Sequence, residues 1–261
     1  MMSSLGPTSL EGPLHHPLWT FYSAYLCRHR TLLLIVACSV VCLWPSFCRA
    51  NNLAELEEIV DESRLTFARF TGHPSMSWFK DHARNARVVF IAPRVAKGSY
   101  FFGGTWGTGV LLVRDSSTGR WSEPAFYRLV GASFGLQIGA LHSEIIALAT
   151  DDDAAAEMQD GTFTLGVGGQ LGVARTGGGI GGSLDITSGT RYLTVSTSTG
   201  FFAGVAAGAT VVLVRDSANE LYYGQPVELS DLSAGLVRQW YSQRLIRTVA
   251  AATAEEGASQ P

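Results

Sequence analysis

Beyond residue 48 the sequence has no cysteine; its four, Cys27, Cys38, Cys42 and Cys48, all stand near the N-terminus. A disulfide framework or a cysteine-based zinc site in the body of the chain is thereby excluded. Charge is scarce as well: Asp, Glu, Lys and Arg make up 16% of the 261 residues, against 46% apolar. A composition this apolar can bury a sizeable core, which excludes disorder for the body of the chain. After residue 50 there are sixteen Lys/Arg against twenty-one Asp/Glu, a net charge of about −5. Nucleic acid is therefore not the main partner, because phosphate binding needs a basic surface. What the chain has in quantity is glycine, 29 residues concentrated between positions 98 and 208. That predicts tight turns and small strand positions, and it speaks against a helical bundle.

The N-terminal fifty residues read as a targeting segment. Arg28 and Arg30 precede eighteen uncharged residues, Thr31 to Cys48, centred on Leu32–Leu43 and followed by Arg49 and Ala50. A basic flank, a short apolar run and a small residue fit a secretory signal peptide cut after Ala50. The same eighteen residues reach the lower length limit of a spanning helix, so an uncleaved anchor through residues 31–48 is the alternative. Lipid attachment at Cys38 is a third option, with a poor preceding motif. Residues 250–261 are expected to be a disordered tail.

Between these ends, residues 53–70 carry apolar side chains at three- and four-residue steps, Leu56, Ile59/Val60 and Phe67 among them, with acids on the other face, the pattern of an amphipathic helix ended by Gly72-His73-Pro74. A second, shorter helix is expected over 75–86, capped by Ser75, with Met76, Phe79 and Ala83 on one face. From Arg87 the pattern changes to short Gly-punctuated runs, several of them alternating, as in Phe163, Leu165 and Val167, which predicts an antiparallel β fold. The apolar run Val88–Ile91 is expected to close at Pro93. One helical turn or two are expected in 151–159, and a last helix over 230–249 with Leu232, Leu236, Trp240, Leu245 and Ile246 inward. Phe101-Phe102-Gly103-Gly104 leading to Val110–Ser116 is echoed by Phe201-Phe202-Ala203-Gly204 leading to Val211–Ser217. The echo reads either as two similar hairpins facing each other or as the common look of Gly-rich aromatic strands.

Several runs, in this order, resemble the signature of the SYLF domain family: Ala92–Gly98, Gly103-Gly104, Gly107–Leu111, Trp121–Tyr127, Gly135–Gly139, Gly200–Gly204 and Leu221–Gly224. The resemblance covers about residues 53–245. It implies phosphoinositide or phospholipid binding and, in eukaryotic members, actin regulation beside an SH3 domain. No SH3 domain fits in this sequence, which looks like the stand-alone exported bacterial members, and export would separate it from actin. The sequence departs from the family pattern at Ser99-Tyr100, where members often have glycines.

Chemical motifs are few. Gly131-Ala132-Ser133-Phe134-Gly135 has the letters of a nucleophile elbow, but strand residues follow and His142 is too near in sequence to serve as its base. Gly177–Gly182 contains G-x-G-x-x-G with strand residues after it, where a dinucleotide site needs a helix. Asp151-Asp152-Asp153 lacks the spacing of a calcium loop and reads as a helix start. His73, His82 and His142 show no metal spacing. No enzyme, metal or cofactor is expected.

The stretch 80–97 differs from its surroundings. Lys80, Arg84, Arg87, Arg94 and Lys97 stand against one acid, Asp81, and Trp78, Phe79, Tyr100, Phe101 and Trp106 flank them. Cations beside aromatics suit a membrane interface, where they meet lipid phosphates while the rings sit at headgroup level. The competing reading is a solvated helix face followed by a core strand with Trp106 buried. Taken together, the expectation is an α+β domain over 51–249, its strongly curved antiparallel β body (barrel- or sandwich-like) packed with two N-terminal helices and one C-terminal helix. Its expected partner is an anionic phospholipid or membrane surface in the cell envelope or periplasm, met through Lys80, Arg84, Arg87, Arg94, Lys97 and Trp106. A scaffold contacting other envelope proteins through Gly-rich hairpins is the alternative.

Overall fold

The chain divides into two units, Met1–Ala50 and Asn51–Pro261. A computed structural model describes residues 52–174 and 192–254, all in the second. The expected export segment, its apolar run and the Gly177–Gly182 loop lie outside the described residues.

Helix α1 (Leu53–Gly72) starts where Asn52 accepts a hydrogen bond from the Ala54 amide at 3.0 Å. Its buried stripe is Leu56, Ile59, Val60, Ser63, Thr66, Phe67 and Phe70, the face expected from the spacing, and His73 in extended conformation ends it. A 3-10 turn (Pro74–Met76) leads into α2 (Ser77–Arg84). Met76, not Ser75, is the N-cap residue of α2, and no side chain caps it. Phe79 is fully buried and packs against the rings of Phe67 at 6.4 Å and Phe70 at 6.0 Å, joining the two helices.

The β body has four strands, β1 (Val88–Val113), β2 (Ala125–Ala149), β3 (Thr162–Ala174) and β4 (Leu193–Val214), antiparallel in the order β1-β2-β4-β3. Contrary to expectation, Pro93 does not end the first strand. The pairing register of β1 with β2 shifts between Ala92 and Val95, and this bulge absorbs the residue that has no amide hydrogen. A straight strand of 26 residues would run about 85 Å, against a radius of gyration of about 17 Å for a compact domain of this size. The strand must bend, and it does. The Arg114 amide donates to the Arg87 carbonyl at 2.7 Å, and the Arg87 amide to the Ala149 carbonyl at 2.8 Å. A Cβ placed on Gly109 would lie 2.5 Å from the Ile91 carbonyl oxygen, and one on Gly107 2.6 Å from that of Arg94. The second half of β1 thus lies back against the first. The register carries β2 and β4 around the same bend, so that β1, β2 and β4 each count twice and β3 once in a seven-stranded, strongly curved antiparallel half-barrel. The domain is α+β, as expected.

Alternation along the doubled strands makes two cores. Val89, Ile91, Val110, Leu112, Phe126, Ile146, Leu148 and Val195 pack under α1 and α2 on one face. Val88, Phe90, Ala92, Leu111, Tyr127, Ala147, Phe163 and Val212 form the other, covered by α3 (Asp152–Gln159) and by Leu232. Asp151 caps α3 by accepting from the Ala154 amide at 2.8 Å, so the acidic triplet is a helix start.

The C-terminal part departs from expectation. A helix not expected, α4 (Asp216–Tyr223), follows β4, and in place of one helix over 230–249 there are two, α5 (Leu229–Ser233) and α6 (Gln243–Thr253). Gly235, with φ +69°, takes a left-handed conformation that breaks the expected helix. Leu232 and Leu245 are buried, but Leu236 is 73% and Trp240 79% exposed, the reverse of the inward positions expected for them. Helix α6 runs past residue 249 to Thr253, because buried Thr253 accepts a hydrogen bond from Trp121 Nε1 at 3.0 Å. The echoed segments are not facing hairpins: one is the second half of β1 and the other belongs to β4, and both flank β2.

Candidate functional site

The curled strands carry almost no negative charge. Glu144 is the one carboxylate in β1, β2, β3 and β4 together. It is fully engaged, accepting from Thr66 Oγ1 at 2.8 Å and Thr197 Oγ1 at 3.3 Å and pairing with Arg69, and so ties α1 to the sheet. Where the strands bend, large apolar side chains are exposed. The register sets Phe102 opposite Phe134 and Trp106 opposite Val130, with Gly104 and Ala132 between. Around the bend Phe102, Trp106, Val130 and Phe134 share a face by this register and stand in solvent, 73%, 45%, 50% and 64% exposed, and Tyr100, across the register shift between Tyr100 and Phe102, is 68% exposed. The rings of Phe102 and Phe134 meet at 5.2 Å. Trp106 leans over Gly98 and Gly104, whose Cβ positions would be 3.6 and 3.5 Å from its ring. An exposed, continuous apolar face of this kind marks an interaction surface. From 124 to 143 and from 82 to 113 the chain has no Asp or Glu.

The six residues expected to contact lipid are divided by the fold. Lys97, half-buried, and Trp106 belong to the bend. Lys80 and Arg84 lie on α2, where Arg84 pairs with Asp81 at 3.2 Å. Arg87 is at the opposite end of β1, paired with Asp152 at 2.8 Å. Arg94 is gripped by Glu58 and Glu62 on successive turns of α1. The Glu62 carboxylate foremost, then Glu58, raises its pKa further against the cost of desolvation. Of the flanking aromatics, Phe79 is core and Trp78 packs against the core, whereas Tyr100 is exposed. The side chain of Phe101 lies outside the described residues. Phe102, Phe134 and Val130 were not singled out by the sequence reading. Their signal was there: apolar residues two and four apart in two acid-free strands, on the face opposite the glycines' close contacts.

Other candidates resolve into structure. Ser133 sits in the middle of β2, opposite Gly103 and Gly208, so no strand-turn-helix elbow presents it. No group of His, Cys, Asp and Glu among the described residues could hold a metal ion, and no described helix is long and apolar enough to cross a membrane. Glu123 is the buried acid among the described residues, 5% exposed. It accepts from Gln243 Nε2 at 2.8 Å and bonds Ser242 Oγ, pinning the start of α6 to the loop before β2. Burial pushes its pKa up, outweighing Ser242, the Gln239 amide, Gln243 and Arg238.

The domain is thus a curled antiparallel half-barrel packed with helices, with exposed aromatics at its bend. Residues 130–252, just under half of the chain, match the family model Ysc84, described as "Las17-binding protein actin regulator", the model of the SYLF domain. The match starts inside β2, yet β1 and α1 complete the same sheet and core. Among similar proteins, the SH3 domain-containing YSC84-like protein 1 of Rattus norvegicus is 27% identical over 146 residues, 56% of this chain and 43% of that protein. The Xenopus laevis protein of the same name is 29% identical over 132 residues, 50% and 39% of the two chains. Protein YSC84 of Saccharomyces cerevisiae is 26% identical over 147 residues, 55% and 31%. The chain spans less than half the length of these relatives. No solved structure matches it.

Proposed function

We propose that this protein is a non-catalytic membrane-binding domain that meets an anionic phospholipid surface through the bend of its β body. The observation that carries the reading is the exposed face of Tyr100, Phe102, Trp106, Val130 and Phe134 in strands free of acids around it. Aromatic rings at headgroup depth, with no carboxylate in the strand segments around them to repel lipid phosphate, suit such a surface. The basic flank and apolar run at 28–48 support an exported protein acting at the cell envelope, either cleaved after Ala50 or anchored. Mass spectrometry of the mature chain would find Asn51 at its N-terminus in the first case.

The bend is tested with the double substitution Phe102→Ser and Phe134→Ser in the full chain. Both rings are exposed, so the melting temperature should hold. Burying a phenyl side chain is worth about 1.5–3 kcal/mol, so losing two should weaken pelleting with phosphatidylglycerol vesicles more than about thirtyfold. Unchanged pelleting would remove the bend from the lipid contact. A second reading, adaptor contact with actin-linked proteins, is favoured by the family match alone; co-sedimentation with filamentous actin tests it directly.

A further inference from the structure

The other end of the domain carries a surface that the membrane reading does not use. Between Asp231 and Glu255 the chain has three arginines, Arg238, Arg244 and Arg247, and no acid. All three are exposed, and none forms an ion pair among the described residues. In the N-terminal part of the domain, by contrast, Arg64, Arg69, Arg84, Arg87 and Arg94 each hold a carboxylate. Arg238 acts electrostatically on Glu123, but that carboxylate is buried and bound by Ser242 and Gln243. Trp240 stands with these arginines at 79% exposure and Leu236 at 73%.

The arrangement is a stripe. The Gln243 amide donates to the Trp240 carbonyl, so Trp240 begins the turn that continues into α6. Trp240, Arg244 and Arg247 then follow at four- and three-residue steps on one side, opposite buried Leu245, Val249 and Thr253. Over seven residues the stripe is about 10 Å long. Exposed tryptophan with arginine is the composition of binding hot spots, and it is uncommon on a surface that serves only solubility.

We propose that this stripe is a docking site for an acidic protein segment carrying apolar residues, so that the domain joins a membrane at one end to a protein at the other. Charge complementarity names the partner's sign, and Trp240 and Leu236 call for apolar side chains between its acids. Its position decides between a protein and a second bilayer contact. Helix α6 is fastened to the start of β2 through Glu123 and Trp121, and Phe134 lies nine residues further along β2, roughly 30 Å of strand. A flat bilayer that takes the bend does not reach the stripe. That choice rests on the proposed role of the bend, and the experiment separates the two.

The full chain is titrated with a fluorescein-labelled synthetic peptide of alternating glutamate and leucine, read by anisotropy, and in parallel with phosphatidylglycerol vesicles, read by pelleting. The wild type should bind the peptide, more weakly as salt rises. The variant Arg238→Glu, Arg244→Glu, Arg247→Glu should lose more than about tenfold of that affinity while pelleting as the wild type does. Trp240→Ser should weaken the peptide alone, too. No peptide binding by the wild type, or equal binding by the variant, overturns the proposal. Loss of vesicle binding by the variant overturns it also, since the stripe is then a bilayer contact. Loss of peptide binding by Phe102→Ser/Phe134→Ser, with the arginine variant unaffected, places the peptide at the bend and rejects the stripe. If the charge-reversed variant fails to fold, the same readings are taken on Arg238→Gln, Arg244→Gln, Arg247→Gln.

Discussion

Replacing Gly109 by alanine is expected to strain the fold where β1 turns back on itself. The added methyl would sit 2.5 Å from the Ile91 carbonyl oxygen, 2.9 Å from Phe90 Cζ and 3.0 Å from Ala92 Cα. Two of these atoms are backbone, held in the β1–β2 ladder by the pairs Ile91–Ile146 and Ala92–Ile145, so neither moves alone. Overpacking of this kind costs about 1–3 kcal/mol, and a rigid backbone neighbour places it in the upper part of that range. Alanine returns about 0.5–1 kcal/mol by restricting the unfolded chain. A net loss of about 2 kcal/mol remains, which in a domain of this size lowers the melting temperature by about 4–8 °C. Urea denaturation followed by far-ultraviolet circular dichroism measures it. Gly104→Ala is the control, because its methyl would make an ordinary 3.5 Å contact with the edge of Trp106. If Gly109→Ala is as stable as Gly104→Ala, the two halves of β1 are not packed together, and the bend that exposes the aromatic face does not exist.

Glu123 gives a pH signature. Burial raises its folded pKa above the ordinary value of 4.5, so its stabilising protonated state is fully present below that value and lost as pH rises through the raised one. Glu123→Gln removes the charge, keeps an acceptor for Gln243 Nε2 and turns the other position into a donor to Ser242 Oγ, so its stability relative to wild type should grow from about pH 4.5 upward, by at most about 1.4 kcal/mol per pH unit; parallel stability curves would refute the burial argument. Arg94→Ala should cost no more than about 1 kcal/mol, because the pair with Glu58 and Glu62 is partly exposed and screened, and leave vesicle binding unchanged. Lys97→Gln, by contrast, should leave the melt alone and weaken vesicle binding about fivefold, the worth of one cation at an anionic surface; an unchanged pelleting curve would take Lys97 out of the contact.

The helices at the N-terminal end of the domain were legible because their information is local. Leu56, Ile59, Val60 and Phe67 recur at helical steps, Gly72-His73-Pro74 cannot continue a helix, and the structure buries that stripe. The β class was legible in the same way, from alternation and glycine spacing. What no window of sequence contained was which strand halves would meet. Gly107 and Gly109 look like any glycines until the chain returns and sets Arg94 and Ile91 against them. Basic residues in 80–97 look like one patch until α1 brings Glu58 and Glu62 to Arg94, and α3 brings Asp152 to Arg87. Trp240 has the spacing of an inner face, and only the break at Gly235 turns it outward. Periodicity along the sequence determined which residues could share a face of one element. Whether that face met a core, a carboxylate or water was decided by contacts between residues far apart in the chain, since burial and ion pairing depend on three-dimensional neighbours and not on sequence spacing.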